Sequence, residues 1–272
     1  MTDVRAKRRR QAGTGRRRAE RLGAAAVAML SSLPLAAEPG RAPGLPPHSS
    51  RQILSAPEQD RFAAVGQIRN GSGRRHCTGT LVSADLVLTA AHCVTNRAEG
   101  WVTQPYRVMF HPDFRQGEAG EVRNGVEIAI GQGYLVGGEI GDDLALLRLK
   151  DPIPAEVIAP IPVAAEPLLR GHMLSVLSYG YDAPWALARE SDCRSLAAFR
   201  RAMVTPCEAV GGVSGSPVIA FDENGHPRVT AVVSSRMDRA GGQPGYGRAV
   251  VVPMDSARLS ALVSHLSAIP GG

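Results

Sequence analysis

The chain has 272 residues, enough for one large domain or two of ordinary size, with 44% apolar residues and a formal charge of +6. The charge is local: residues 1–37 carry nine of the 31 basic residues and only Asp3 and Glu20 among the acids, leaving 22 basic against 23 acidic residues beyond. A near-neutral body has no basic face for nucleic acid, so no nucleic-acid partner is expected.

In chain order, an arginine-rich start is followed by an apolar run from Leu22 to Ala37 and the small-residue end "LAAE". This is the layout of a secretory signal peptide over residues 1–37, with a basic arm or an uncleaved signal anchor as the alternative. Ser31, Ser32 and Pro34 interrupt the run, so no stable membrane span is expected. The arginine pairs suggest a twin-arginine export signal, but the residues that usually follow such a pair are missing. Residues 38–57, "EPGRAPGLPPHSSRQILSAP", read as an N-terminal extension or a short propeptide.

From residue 58 the signals are those of strands. "FAAVGQIR", "CTGTLVS", "LVLTAA", "YRVMF", "VEIAIGQGYLV" and "DLALLRL" are short, apolar, rich in β-branched residues and separated by Gly, Asn and Asp. They form a first half, residues 58–155. "DPIPAEVIAPIPV" follows as a proline-rich strap. The second half, residues 156–272, repeats the pattern with "HMLSVLSYGY", "GSPVIAF", "RVTAVVSS" and "GRAVVVP". In "MDSARLSALVSHLSAI" apolar residues recur at helical spacing behind a candidate cap, Asp255, which predicts a C-terminal helix. The fold class is all-β in two halves.

Four cysteines, Cys77, Cys93, Cys193 and Cys207, lie beyond the leader. In an exported chain they predict two disulfides, although three connectivities are open. A zinc site is the rival, because His76 and His92 adjoin Cys77 and Cys93. There is no C-x-x-C pair, and adjacent His and Cys side chains do not easily face one ion, so neither metal nor cofactor is expected.

Three positions bear on chemistry: His92 in "LTAAHCV", Asp143 in "GDDLALLRL" and Ser214 in "GGVSGSP". Singly, each has an ordinary explanation: a buried histidine, a turn aspartate, a loop serine. All three in this order, each in its local frame, are a different matter. The chain resembles the trypsin-like (chymotrypsin-fold) serine peptidases, in particular the secreted bacterial branch that includes the glutamyl endopeptidases. "TAAHC", "DLALL" and "GVSGSP" are similar to the family's histidine, aspartate and serine motifs.

The resemblance implies two six-stranded antiparallel β-barrels with the active site between them. It implies a secreted or periplasmic monomer that cuts protein or peptide substrates. His92 would act as general base, Asp143 (rather than Asp142) would orient it, and Ser214 would be the nucleophile. The N–H groups of Gly212 and Ser214 would form the oxyanion hole. Cys77 would pair with Cys93 at the family's histidine-loop spacing, and Cys193 with Cys207. An α/β-hydrolase is the rival enzyme, but its nucleophile elbow needs Gly where Ser216 stands. An inactive protease-fold binding protein is the alternative outside catalysis.

Digestive and clotting relatives place an acid before the nucleophile, where it pairs with a new terminal amine. Here Val213 stands in that place, and neither "RQIL" at Arg51 nor "RFAAVGQ" at Arg61 fits the matching activation sequence. No amine-to-acid switch is expected. By the same resemblance Val233, Ser234 and Ser235 would border the substrate groove. Glutamyl-specific relatives carry His where this chain has Val233, so Glu or Asp before the cut is not expected unless Arg236 swings inward. Glu208, six residues before Ser214, is either a pocket acid or a solvated loop carboxylate.

Overall fold

The computed structural model describes residues 45–46, 49–71, 76–96, 101–238 and 245–267. The expected leader, residues 1–37, lies outside the described residues. Strand β1 (Gln52–Ile53) and helix α1 (Ala56–Asp60) open the chain. The first half continues with β2 (Val65–Asn70), β3 (Cys77–Leu81), β4 (Leu86–Thr89), β5 (Thr95–Asn96), β6 (Trp101–Val102), β7 (Val108–Pro112), β8 (Arg123–Ile130), helix α2 (Gln132–Gly137) and β9 (Ala145–Leu149).

Six of these strands close on themselves in the order β2-β3-β4-β9-β8-β7, and β7 returns to β2 from Gly66↔Pro112 through Asn70↔Val108. Every seam of this barrel is an antiparallel ladder, so it has no open edge. Ile68, Leu81, Val87, Phe110 and Leu147 fill its interior. The strap then buries Ile153, Ile158 and Ile161. It hydrogen-bonds to both halves, through Ile161 N–H to the Leu81 carbonyl and Ala164 N–H to the Val229 carbonyl.

The second half runs through β10 (Met173–Ser178), β11 (Ala188–Arg194), β12 (Ala197–Phe199), β13 (Ala202–Ala209), β14 (Pro217–Phe221), β15 (Pro227–Asp238) and β16 (Gly247–Pro253) to helix α3 (Ser256–Val263). Its sheet has eight strands in the order β1-β11-β10-β14-β15-β16-β13-β12. The expected second set of six is present, from β11 to β13, with the short β1 and β12 added at its edges. Among the described residues no ladder joins β11 to β13. The gap is spanned by the disulfide Cys193–Cys207, with Cα atoms 5.5 Å apart, and by Glu208 N–H donating to Glu190 Oε2 at 2.6 Å.

Helix α3 starts where the sequence places it: Asp255 Oδ1 accepts the Arg258 N–H at 2.9 Å. Its Leu262 is buried. Arg258 reaches back to the Gly141 carbonyl and to Asp142 Oδ1. Among the described residues no helix is long and apolar enough to cross a membrane.

Candidate active site

His92 sits in a 3-10 turn, Ala91–Cys93, directly after β4. Ala90, Ala91 and Val94 are fully buried, and Cys93 is tied by its disulfide to Cys77 at the start of β3, with Cα atoms 6.0 Å apart. The turn therefore has one side chain left to present, and the imidazole is 34% exposed. Asp143 grips it twice: Oδ1 accepts the His92 backbone N–H at 2.9 Å, and Oδ2 lies 2.8 Å from Nδ1. A proton on Nδ1 satisfies that contact and leaves Nε2 free to act as a base.

Asp143 follows a second 3-10 turn, Ile140–Asp142, and precedes β9, whose buried leucines fix its backbone. The two adjacent aspartates face different partners. Asp142 takes Arg201 and Arg258, whereas Asp143 takes His92. Asp143 also accepts the Ser234 hydroxyl on Oδ2. The register of β15 on β16 shifts between Val233 and Ser235, a bulge that turns Ser234 out of the ordinary alternation. Burial alone would raise the Asp143 carboxyl. The hydrogen bond and charge of His92, the Ser234 hydroxyl and the His92 N–H together hold it below the usual carboxylate range.

Ser214 belongs to the turn between β13 and β14, and that turn docks on the first half. The Ser214 carbonyl accepts Thr78 N–H at 2.7 Å, and the Gly212 carbonyl accepts Thr78 Oγ1–H at 3.1 Å. Two glycines permit this closeness. Gly215 has φ +80°, and a Cβ there would lie 2.1 Å from both the Thr78 carbonyl oxygen and Thr89 Oγ1, at the end of the strand that leads to His92. Gly212 has φ +90°, and a Cβ there would meet the Tyr179 carbonyl, the Tyr181 ring and His76. The N–H groups of Val213, Gly215 and Ser216 all have carbonyl partners. Among the described residues those of Gly212 and Ser214 have none, and neither has the Ser214 hydroxyl. Two backbone donors without acceptors, the serine's own and that of Gly212, therefore lie on the same turn.

The other expected residues are placed as follows. Val213, 2% exposed, is part of the apolar interior of the second half. Val233 also lies there at 1% exposure and offers no side-chain surface to a groove. Ser234 spends its hydroxyl on Asp143, and Ser235 is half-buried beside it. Glu208 is neither in a loop nor solvated. It is buried on β13, where its Oε2 accepts Ser49 Oγ–H at 3.0 Å and Ser50 N–H at 3.2 Å. Arg236 is engaged with Asp238 and the Gly245 carbonyl.

Sequence reading misses His76 as part of this site. Its Nε2 lies 3.0 Å from the Tyr179 carbonyl and its ring stands edge-on to Tyr181, behind Gly212. Burial and then the nearby Arg69 charge outweigh that hydrogen bond and lower its pKa, which favours a neutral ring. Its only sequence signal was adjacency to Cys77. The Cys77 and Cys93 sulfurs near His92 are joined to each other, so neither is a free thiolate for a metal.

Trypsin zeta of Drosophila melanogaster is 31% identical over 113 residues, covering 41% of this chain and 39% of that protein. Trypsin zeta of Drosophila erecta is 30% identical over 126 residues, covering 46% and 43%. The chain thus spans about two-fifths of the length of the curated relatives it matches. Among solved structures, a Glu endopeptidase superposes with a TM-score of 0.64 at 18% identity, covering 80% of this chain and 96% of that one. The protease Anisep from Arthrobacter nicotinovorans gives 0.61 at 18% identity, covering 77% and 96%. At that identity the likeness shows the fold. Residues 54–257 match the family described as Trypsin, and the chain belongs to that family.

Proposed function

We propose that the protein is an exported serine endopeptidase that hydrolyses peptide bonds through an acyl-enzyme on Ser214. The observation that carries this reading is the presence of two arrangements in one fold. A buried carboxylate clamps both the backbone and Nδ1 of His92, and the N–H groups of Gly212 and Ser214 have no acceptors on a turn docked on Thr78.

His92 Nε2 takes the proton as Ser214 Oγ bonds to the substrate carbonyl carbon. The resulting oxyanion receives the N–H groups of Gly212 and Ser214. The C–N bond then breaks, and His92 passes its proton to the leaving amine. Water next attacks the acyl ester, His92 again takes the proton, and Ser214 is released with its hydroxyl restored. Removing one oxyanion donor of this kind costs about 3 kcal/mol of transition-state stabilisation. Two disulfides suit an oxidising compartment, in keeping with export.

Selectivity before the cut falls to small or apolar side chains. Arg236 already has a partner in Asp238, so a substrate carboxylate buried there would lack one. Glu208 is held through Oε2 by Ser49 and Ser50 and keeps Oε1 without a partner among the described residues, which makes Arg or Lys the second choice. Mass-spectrometric mapping of cleavages in a peptide library tests both points. The expected result is cutting after small or apolar residues that Ser214→Ala abolishes. Equal cleavage by Ser214→Ala would refute the mechanism, and a strong preference for Glu lost in Arg236→Ala would refute the selectivity.

A further inference from the structure

Arg51 lies in the segment before β1, far in sequence from the three motifs, yet its side chain is 1% exposed. It donates through Nη2 to Asp182 Oδ2, and the Asp182 side chain is 12% exposed. Arg51 Nε and Nη1 and Asp182 Oδ1 are buried with no hydrogen-bond partner among the described residues. A buried ion pair so incompletely hydrogen-bonded is a poor source of stability, because desolvation offsets much of its attraction.

Its position gives it another use. Asp182 lies in the turn Gly180–Ala183, and residues 179–182 form a shelf under Gly211 and Gly212. Tyr181 N–H donates to the Gly211 carbonyl at 2.8 Å. A Cβ on Gly211 would lie 2.6 Å from the Tyr181 ring, and one on Gly212 2.6 Å from the Tyr179 carbonyl oxygen. On the other side, a Cβ on Gly180 would lie 2.4 Å from Arg51 Nη1 and 2.9 Å from Val210 Cγ2. The guanidinium, the shelf and the Gly212 turn are therefore in successive contact. The segment carrying Arg51 is itself fastened: Gln52 and Ile53 pair with Arg189 and Ala188 of β11, Leu54 is buried, and Ser50 Oγ donates to Glu190 at 2.6 Å.

We infer that the Arg51–Asp182 ion pair is a positioning device that holds the 179–182 shelf, and through it the Gly212 N–H, in place for oxyanion binding. It supplies from the N-terminal segment the charged anchor that Val213 cannot offer from within the turn. Any maturation cut accordingly lies before Ser49, and the segment from Ser49 onward is retained. The inference rests on the serine-peptidase reading.

The test uses the full chain and the rate at which a fluorophosphonate labels Ser214, with kcat and KM on a peptide that the wild type cleaves. Arg51→Met and Asp182→Asn are each expected to slow labelling and lower kcat about 100-fold, the scale of a lost oxyanion donor, while KM moves little and circular dichroism is unchanged. Arg51→Lys, which keeps a cation, is expected to recover most of the rate. Wild-type labelling rates in both Arg51→Met and Asp182→Asn, with Ser214→Ala unlabelled, would overturn the inference and leave the serine-peptidase reading standing. Asp182→Asn is isosteric and carries the test if Arg51→Met does not fold; loss of fold in both would reduce the pair to a structural brace and also overturn it. A wild type that neither labels nor cleaves would overturn both readings.

Discussion

The two halves solve the same closure problem differently. The first closes its six strands with ladder hydrogen bonds at every seam, and it presents His92 and Asp143 from short turns at strand ends. The second curls a comparable sheet but joins β11 to β13 through the Cys193–Cys207 disulfide and the Glu190 carboxylate. It presents Ser214 from a glycine-rich turn held by docking on Thr78 and on the Tyr179–Asp182 shelf. The His92 and Asp143 turns thus sit at strand ends of a fully laddered barrel. The Ser214 turn is held by hydrogen bonds to Thr78, Val233 and Tyr181 on a sheet closed at one seam by a disulfide and a carboxylate. Loss of those ties should therefore fall harder on the second half.

The largest effect should come from the disulfides. Their sequence separations are 16 and 14 residues, so loop entropy alone gives each nearly the same value, about 3 kcal/mol. Because Cys193–Cys207 also closes a sheet, its double alanine variant should lose more in a chemical-denaturation measurement than that of Cys77–Cys93. Equal losses would break the comparison. Next, Ser234→Ala removes the hydroxyl that the second half lends to Asp143. A hydrogen bond to a buried carboxylate is worth about 2 kcal/mol, so kcat/KM should fall roughly thirtyfold with little change in melting temperature.

A smaller effect is expected from Arg258→Met, which unties α3 from Gly141 and Asp142. The Asp142–Arg201 pair remains, so a loss of about 1 kcal/mol in stability is expected by thermal unfolding. A further effect, confined to acid pH, concerns His111 on β7. Burial, and secondarily the Arg69 charge, lower its pKa to about 4 from an ordinary 6.5. The unfolded chain then binds the proton first, so stability present above pH 6.5 is lost as pH falls from 6.5 towards 4. His111→Leu should flatten that part of the curve of melting temperature against pH, and an unchanged slope would assign the acid sensitivity elsewhere.

The features legible in the sequence are those written in local pattern. The strand runs and the Asp255 cap each sit within a few residues, where periodicity and residue type suffice, whereas the three motifs and the sixteen-residue cysteine spacing are legible through the family resemblance. What escaped depends on distance. Arg51 and Asp182 are 131 residues apart, and Arg51 was visible only as a poor match to an activation sequence. Nothing in "AVVSSRM" marks the bulge that turns the Ser234 hydroxyl to Asp143, nor that the Val233 side chain lies in the apolar interior. Strand β1, of two residues, exists only through long-range pairing with β11, and β12, of three, only as the short hairpin partner of β13, so neither edge of the eight-stranded sheet is marked in the sequence beside the expected six.

The central claim is that Ser214 carries the acyl group. Acid quenching of the wild-type protein during turnover of an activated ester, followed by peptide mapping, tests it directly. The expected result is a single acyl mass on the peptide containing Ser214, absent in Ser214→Ala and not accumulating in His92→Ala. An acyl group mapped to another residue, or turnover with equal rates in Ser214→Ala, would contradict the claim.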